Sequence, residues 1–270
     1  MSQTPVISQQ SAANQVSRFR WWIHLLLIGG YFVPGLLVRH PARHPALTHS
    51  SSGLLIVCAI DVAVFAIVFC LALLASRASK DQLYLRWRPS WWVVPLGVLY
   101  SIAIRAAIAV LVIAVSLLLL ATVFDEHQLR TFWQSRQPDP TIIVSAKALR
   151  SDPLYAWLLV TVVSFVVAGV REELWRAGTL AGMRALWPRG FNTRSGEFMA
   201  VVLVAIVFGA AHLAMGLQAA IMAAILGIFL GSIMVVHRSI WPAVIAHGCF
   251  DALSFALIAW VPAGIQQFRG

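Results

Sequence analysis

Long apolar runs separated by short charged stretches organise this chain from end to end. About 20 consecutive apolar residues let a helix cross the ~30 Å hydrocarbon core of a bilayer. Runs at 21–38, 53–76, 91–124, 154–170, 197–213, 217–236 and 240–262 predict transmembrane helices. The fourth continues past the apolar core as 171–187, and 91–124 is long enough for one tilted helix or a helix with an interfacial approach segment. The expected fold class is all-α, a polytopic transmembrane helical bundle of about seven or eight spans, since a lipid-exposed backbone must satisfy its own hydrogen bonds.

The polar intervals set the expected organisation. Residues 1–20 are rich in Ser, Gln and Asn and read as a disordered cytoplasmic tail. An N-terminal transmembrane scaffold at 21–150 and a helical core at 151–263 follow, then a C-terminal tail at 264–270. The first apolar run lacks a convincing cleavage site and reads as a retained helix. Pro138, Pro140 and Pro153 argue against one continuous helix through the polar stretch 125–153.

Composition supports this picture. The chain has 270 residues, 60% hydrophobic and 11% charged, whereas soluble domains carry about 25% charged residues. The formal charge of +10 does not point to nucleic acid, because Arg18, Arg20, Arg77, Lys80, Arg86, Arg88, Arg184, Arg189 and Arg194 flank apolar spans instead of forming one solvated patch. That is the positive-inside pattern, with anionic lipid head groups as the counterpart. It predicts a cytoplasmic N-terminus, and the short loops suggest a bacterial plasma membrane. Cys58, Cys70 and Cys249 sit in apolar runs without metal-ligand spacing and read as buried packing residues. His24 reads as a head-group contact, and His40, Arg43, His44 and His49 as a solvated loop. Gly227 and Gly231 predict close helix packing, within the chain or between chains.

Ionisable residues inside the apolar runs are the candidates for chemistry, because a charge in hydrocarbon is expensive and persists where it faces a polar cavity. Asp61 and Arg105 form an expected interhelical pair. In Arg171-Glu172-Glu173-Leu174-Trp175-Arg176, Arg176 is three residues from one glutamate and four from the other, so one guanidinium can reach both acids. Phe208 and His212 share a helix face by the same spacing, as do His247 and Asp251. The carboxylate can orient the His247 imidazole.

These three motifs resemble those of the CPBP family of intramembrane proteases (the Abi family), which includes type 2 CAAX prenyl proteases and bacteriocin-immunity relatives. The family pattern is EExxxR, FxxxH and HxxxN or HxxxD on successive membrane helices; here the carriers are Glu172-Glu173…Arg176, Phe208…His212 and His247…Asp251. The resemblance covers roughly 154–262. It implies a CPBP-like catalytic core in which Glu172 and His212 activate a water for attack on a peptide carbonyl, while His247 and Asp251 serve the oxyanion. Glu173, Arg176 and Phe208 are supporting residues.

The chain departs from the pattern in two places. Two residues rather than three separate Glu173 from the arginine, so alignment on Arg176 moves Glu172 to the second glutamate position and Arg171 to the first. Glu172 is the assigned base under either alignment. Asp251 stands where asparagine is common; an ionised aspartate cannot donate to an oxyanion, so its expected role is to hold a charged His247 as the donor.

The favoured mechanism requires no cofactor. Zn²⁺ on Glu172, His212 and His247 stays open, although HExxH spacing is absent. The implied partners are the lipid bilayer and a membrane-anchored, possibly prenylated, protein or peptide substrate. Two other readings stay open: a non-catalytic immunity or scaffold protein on the same frame, and a small proton-coupled transporter, which the absence of an internal repeat disfavours.

Overall fold

The computed structural model describes residues 18–32, 48–137 and 144–260. Helix α1 occupies 18–32, followed by α2 (Ser51–Ser76), α3 (Val93–Thr122), α4 (Glu126–Ser135) and α5 (Ala146–Ser151). Helix α6 runs through Pro153–Leu186. Then come α7 (Arg194–Ala210), α8 (Leu217–His237) and α9 (Trp241–Trp260). Among the described residues there is no strand, and five helices are long and apolar enough to cross a membrane: Ser51–Ser76, Ser90–Thr122, Pro153–Leu186, Leu217–His237 and Trp241–Trp260. The protein is an integral membrane protein.

Seven or eight spans are not reached on this count. Helix α7 has 17 residues and stops at Ala210, short of the expected 213. Gly216, with φ at 104°, turns the chain out of the bend that follows. The first expected span is described only to residue 32. Residues 1–17 of the N-terminal tail, the whole C-terminal tail, the end of the first span, Pro138 and Pro140, and the loop bearing His40, Arg43 and His44 lie outside the described residues. The long third run is one helix with a short lead-in turn at Ser90–Trp92. Its 30 residues are ~45 Å long at 1.5 Å per residue, more than the hydrocarbon core requires.

The polar stretch folds as its capping chemistry dictates. Asp125 accepts from the Gln128 backbone N–H while the Gln128 side chain accepts from the Asp125 N–H, a reciprocal cap that starts α4. Asp152 caps α6 by accepting from the backbone N–H groups of Leu154 and Tyr155, with Pro153 at the first helical position. The Ser51 hydroxyl also donates to Asp152, and that bond, ahead of the backbone donors, holds its carboxyl below the usual carboxylate range.

The basic segments collect at the opposite end of the bundle. Arg184 at the end of α6 and Arg238 after α8 both donate to the Tyr84 hydroxyl, and Arg238 pairs with the buried Glu197 of α7. Trp241 Nε1 donates to the Leu85 carbonyl and Ser239 to that of Arg86. Residues 77–90, 184–197 and 238–241 thus share one face of the bundle, as the charge pattern predicts.

Small residues set the helix spacing in the core. A Cβ at Gly231 would stand 2.7 Å from Val201, and one at Gly227 would stand 3.2 Å from Ala205, so both glycines pack α8 against α7 within one chain. Helix α9 lies close on α6 because Gly248 leaves room for the Phe165 ring, where a Cβ would fall 2.3 Å from Cδ1. Gly169 does the same opposite the Val244 carbonyl.

Two expectations fail here. His24 is not at a head group but fully buried, with Nε2 3.0 Å from the Gly178 carbonyl and Nδ1 3.1 Å from that of Ala72, tying α1 to α6 and α2. Its ring faces two other helices, which shield it from lipid. Cys70 is exposed on the outer face of α2, whereas Cys58 is buried and Cys249 half-buried. An apolar run signals lipid or core alike, so a small apolar thiol could not be assigned to either.

Gly248→Val is expected to destabilise the detergent-solubilised protein by roughly 1–3 kcal/mol, the usual overpacking penalty, read as a lowered thermal midpoint. Gly29→Ala, where a Cβ meets open space, should leave the midpoint unchanged or raise it.

Candidate active site

The site is built on the middle of α6, where the helix changes register. Residues Leu159–Glu172 follow a π-helical pattern, and α-helical geometry resumes at Glu173. Ser164 marks the wider register by donating to the carbonyl of Leu159, five residues back. π-helical turns are rare and concentrate at functional sites. Glu172 closes the π segment and Glu173 opens the α segment, so the two adjacent carboxylates take different partners.

Glu173 is fully buried. Its Oε1 pairs with Arg176 one turn on and lies 3.0 Å from His247 Nδ1 of α9. Arg176 is also fully buried, and its guanidinium stands 4.8 Å from the Phe208 ring centroid in a cation–π contact. The Phe208 ring then faces His212 at 4.7 Å and His247 at 6.3 Å between centroids. One aromatic ring from α7 therefore packs between the elements that carry the three motifs.

Glu172 has a different partner. The expectation that Arg176 reaches both glutamates is wrong: Arg171 Nη2 donates to Glu172 Oε1 at 2.6 Å, and Arg176 pairs with Glu173 alone. The change of register at Glu172 is the reason, since the i,i+4 rule assumes continuous α geometry. Glu172 Oε2 remains 3.9 Å from His247 Nε2, and Asp251 Oδ2 stands at the same 3.9 Å from that nitrogen. His247 is thus anchored through Nδ1 and presents Nε2 between two carboxylates.

His212 lies just beyond the end of α7 rather than within a span. Its Nδ1 is 2.8 Å from the Phe208 carbonyl. A carbonyl only accepts, so Nδ1 carries the proton and Nε2 holds the free lone pair in the neutral ring. The charged neighbour of His212 is Asp251, which also lies within electrostatic range of Glu172, His247 and Arg105.

The pair expected between Asp61 and Arg105 does not form. Asp61 Oδ2 accepts from Arg171 Nη1 at 2.7 Å. Arg105 instead donates to the Phe250 carbonyl and, at 2.9 Å, to the Ser254 hydroxyl, with its guanidinium over the Phe250 ring. The choice follows from where the helices pack: α3 lies on α9 and α2 on α6. Arg171 was read from sequence only as a member of the charged motif. A lone acid buried in the second apolar run was the available sign that some arginine had to meet it.

Among the described residues, no three His, Cys, Asp or Glu side chains gather as a metal-ligand group.

Residues 153–253 match the family model described as type II CAAX prenyl endopeptidase Rce1-like. Comparison with curated proteins and with solved structures gives no match. The matched segment contains Glu172, Glu173, Arg176, Phe208, His212, His247 and Asp251.

Arg176→Met is expected to destabilise the protein by roughly 3–5 kcal/mol, because it strands the Glu173 carboxylate in the core. Adding Glu173→Gln to that variant should recover part of the loss, and denaturation in mild detergent measures both. Over residues 153–253 the chain is similar to the type II CAAX prenyl endopeptidase Rce1-like family, in agreement with the resemblance stated from the sequence.

Proposed function

We propose that the protein is an intramembrane endopeptidase that hydrolyses a peptide bond in a membrane-associated protein, by a water activated at Glu172 and His212. The observation that carries this reading is His247 Nε2, held 3.9 Å from both Glu172 and Asp251 while Nδ1 is fixed on Glu173. That spacing sets a donor-capable imidazole between two carboxylates, each beyond direct hydrogen-bond distance.

In the proposed reaction a water oxygen forms a bond to the scissile carbonyl carbon as its proton passes to Glu172 or to Nε2 of His212. The developing oxyanion takes a hydrogen bond from His247 Nε2–H, whose positive charge Asp251 and Glu173 favour. Collapse of the intermediate breaks the C–N bond, and the proton returns to the leaving amine. Glu173, Arg176 and Phe208 hold the imidazole and the guanidinium in place. The family match supports peptide hydrolysis and a membrane-associated substrate. Prenyl recognition, a bacterial plasma membrane and a cytoplasmic basic end belong to the same proposal.

Purified wild type is expected to cleave a prenylated fluorogenic peptide or a membrane-protein substrate, with Glu172→Ala and His212→Ala each losing at least ~100-fold in kcat, the scale of general acid–base catalysis. Both variants should keep the wild-type melting profile. Equal activity in all three proteins would refute the assignment; parallel assays with unprenylated peptide and with chelator read prenyl and metal dependence.

A further inference from the structure

The carboxylate assigned as the base is held by an arginine that does not belong to it alone. Arg171 Nη2 donates to Glu172 Oε1 at 2.6 Å and Nη1 donates to Asp61 Oδ2 at 2.7 Å. The same Nη1 lies 3.1 Å from the Tyr31 hydroxyl, which itself donates to Asp61 Oδ1 at 2.5 Å. Arg171 Nε donates back to the Val167 carbonyl at 3.2 Å. All three guanidinium nitrogens are engaged, and the side chain is only 15% exposed. Tyr31 comes from α1 and Asp61 from α2, both outside the matched segment at 153–253.

Geometry and charge give this bridge a function. Paired with Glu172 only, Arg171 would form a closed one-to-one ion pair and be free to swing over both carboxylate oxygens. Asp61 and Tyr31 hold the other face of the guanidinium, so that it meets Glu172 at Oε1 and leaves Oε2 turned toward His247. Asp61 also shares the single positive charge between two acids. Each anion in the membrane interior then has a partner, as buried charges require, while Glu172 keeps an oxygen for the reaction.

We propose that Asp61, oriented by Tyr31, is a positioning residue for Glu172, acting through Arg171. The inference rests on the hydrolytic reading above. The N-terminal helices are thereby part of the site instead of being only its frame.

The test compares wild type, Asp61→Asn, Asp61→Glu and Arg171→Gln with the Asp61→Asn/Arg171→Gln double variant, in detergent and in the full chain. Asp61→Asn is expected to lower kcat about 10–100-fold, by analogy with the loss when the hydrogen-bond partner of a metal-ligating side chain is removed, with KM changed less than about twofold. Asp61→Glu should restore part of kcat, and in the Arg171→Gln background Asp61→Asn should have little further effect. Unchanged kcat in Asp61→Asn, or fully additive losses in the double variant, would overturn the inference while leaving proteolysis standing.

The same five proteins are also compared by thermal midpoint, which needs no activity. Non-additive shifts for Asp61 and Arg171 are expected there as well, and additive shifts overturn the bridge. If folded wild type cleaves nothing, the hydrolytic reading fails and the thermal cycle alone decides whether Asp61 holds Glu172 through Arg171. Loss of folding in Asp61→Asn together with full activity in Asp61→Ser or Tyr31→Phe would assign the bridge to stability alone and also overturn the inference.

Discussion

A carboxylate with no solvent exposure, Glu173, joins the two helices on which everything else in the site depends. Burying a lone anion costs several kcal/mol, so Glu173 is tolerable only with Arg176 and His247 both in contact. Those two contacts fix the rotation of α6 about its axis and the height of α9 beside it. The Phe208 ring then finds its place over Arg176, and His212 follows Phe208 through its backbone carbonyl. A single desolvated charge therefore sets the register of elements that the hydrophobic effect, absent between helices in lipid, would leave free to slide.

Around this centre the bundle separates two kinds of surface. The outer side of α3 beyond Arg105 is almost wholly exposed Leu, Ile and Val, which suits contact with lipid tails. Toward the interior, glycines at 169, 227, 231 and 248 replace bulk with proximity. The ionisable side chains sit where these close approaches meet, and Arg105, Arg171 and Arg176 each have a carbonyl, carboxylate or aromatic partner on a neighbouring helix or their own.

Much of this was legible in the sequence because it depends on local spacing. The Glu173–Arg176 pair is an i,i+3 contact and the Phe208–His212 pair an i,i+4 contact, and both follow from helix geometry once the spans are known. The clustering of basic loops at one end follows from their alternation along the chain. What stayed hidden depends on which helices become neighbours. Asp61 reads against Arg105, the arginine inside the next apolar run, and only the docking of α2 on α6 brings it to Arg171 instead. His24 looks interfacial by position, yet two carbonyls from other helices claim its ring. The register change at 159–172 was not read from the sequence either, because Thr161 and Ser164 are the only polar residues before Arg171 and too few to separate a π period from an α one.

That register change has a consequence for how the chain tolerates alteration. A π segment holds more residues per turn than the α-helix on either side, so it acts as slack wound into the helix. The entrance of α6, pinned by Asp152 and Ser51, and the carboxylates at its centre are set at an angular offset that the slack defines. Amino-acid replacements along 159–168 alter packing, since Leu159, Ser164 and Ala168 are buried and Phe165 fills the space beside Gly248, but they keep the number of residues that sets the offset. Removal or insertion of one residue winds the helix tighter or looser and turns Glu172 away from His247 as a rigid crank would. In this part of the chain, length carries more information than composition.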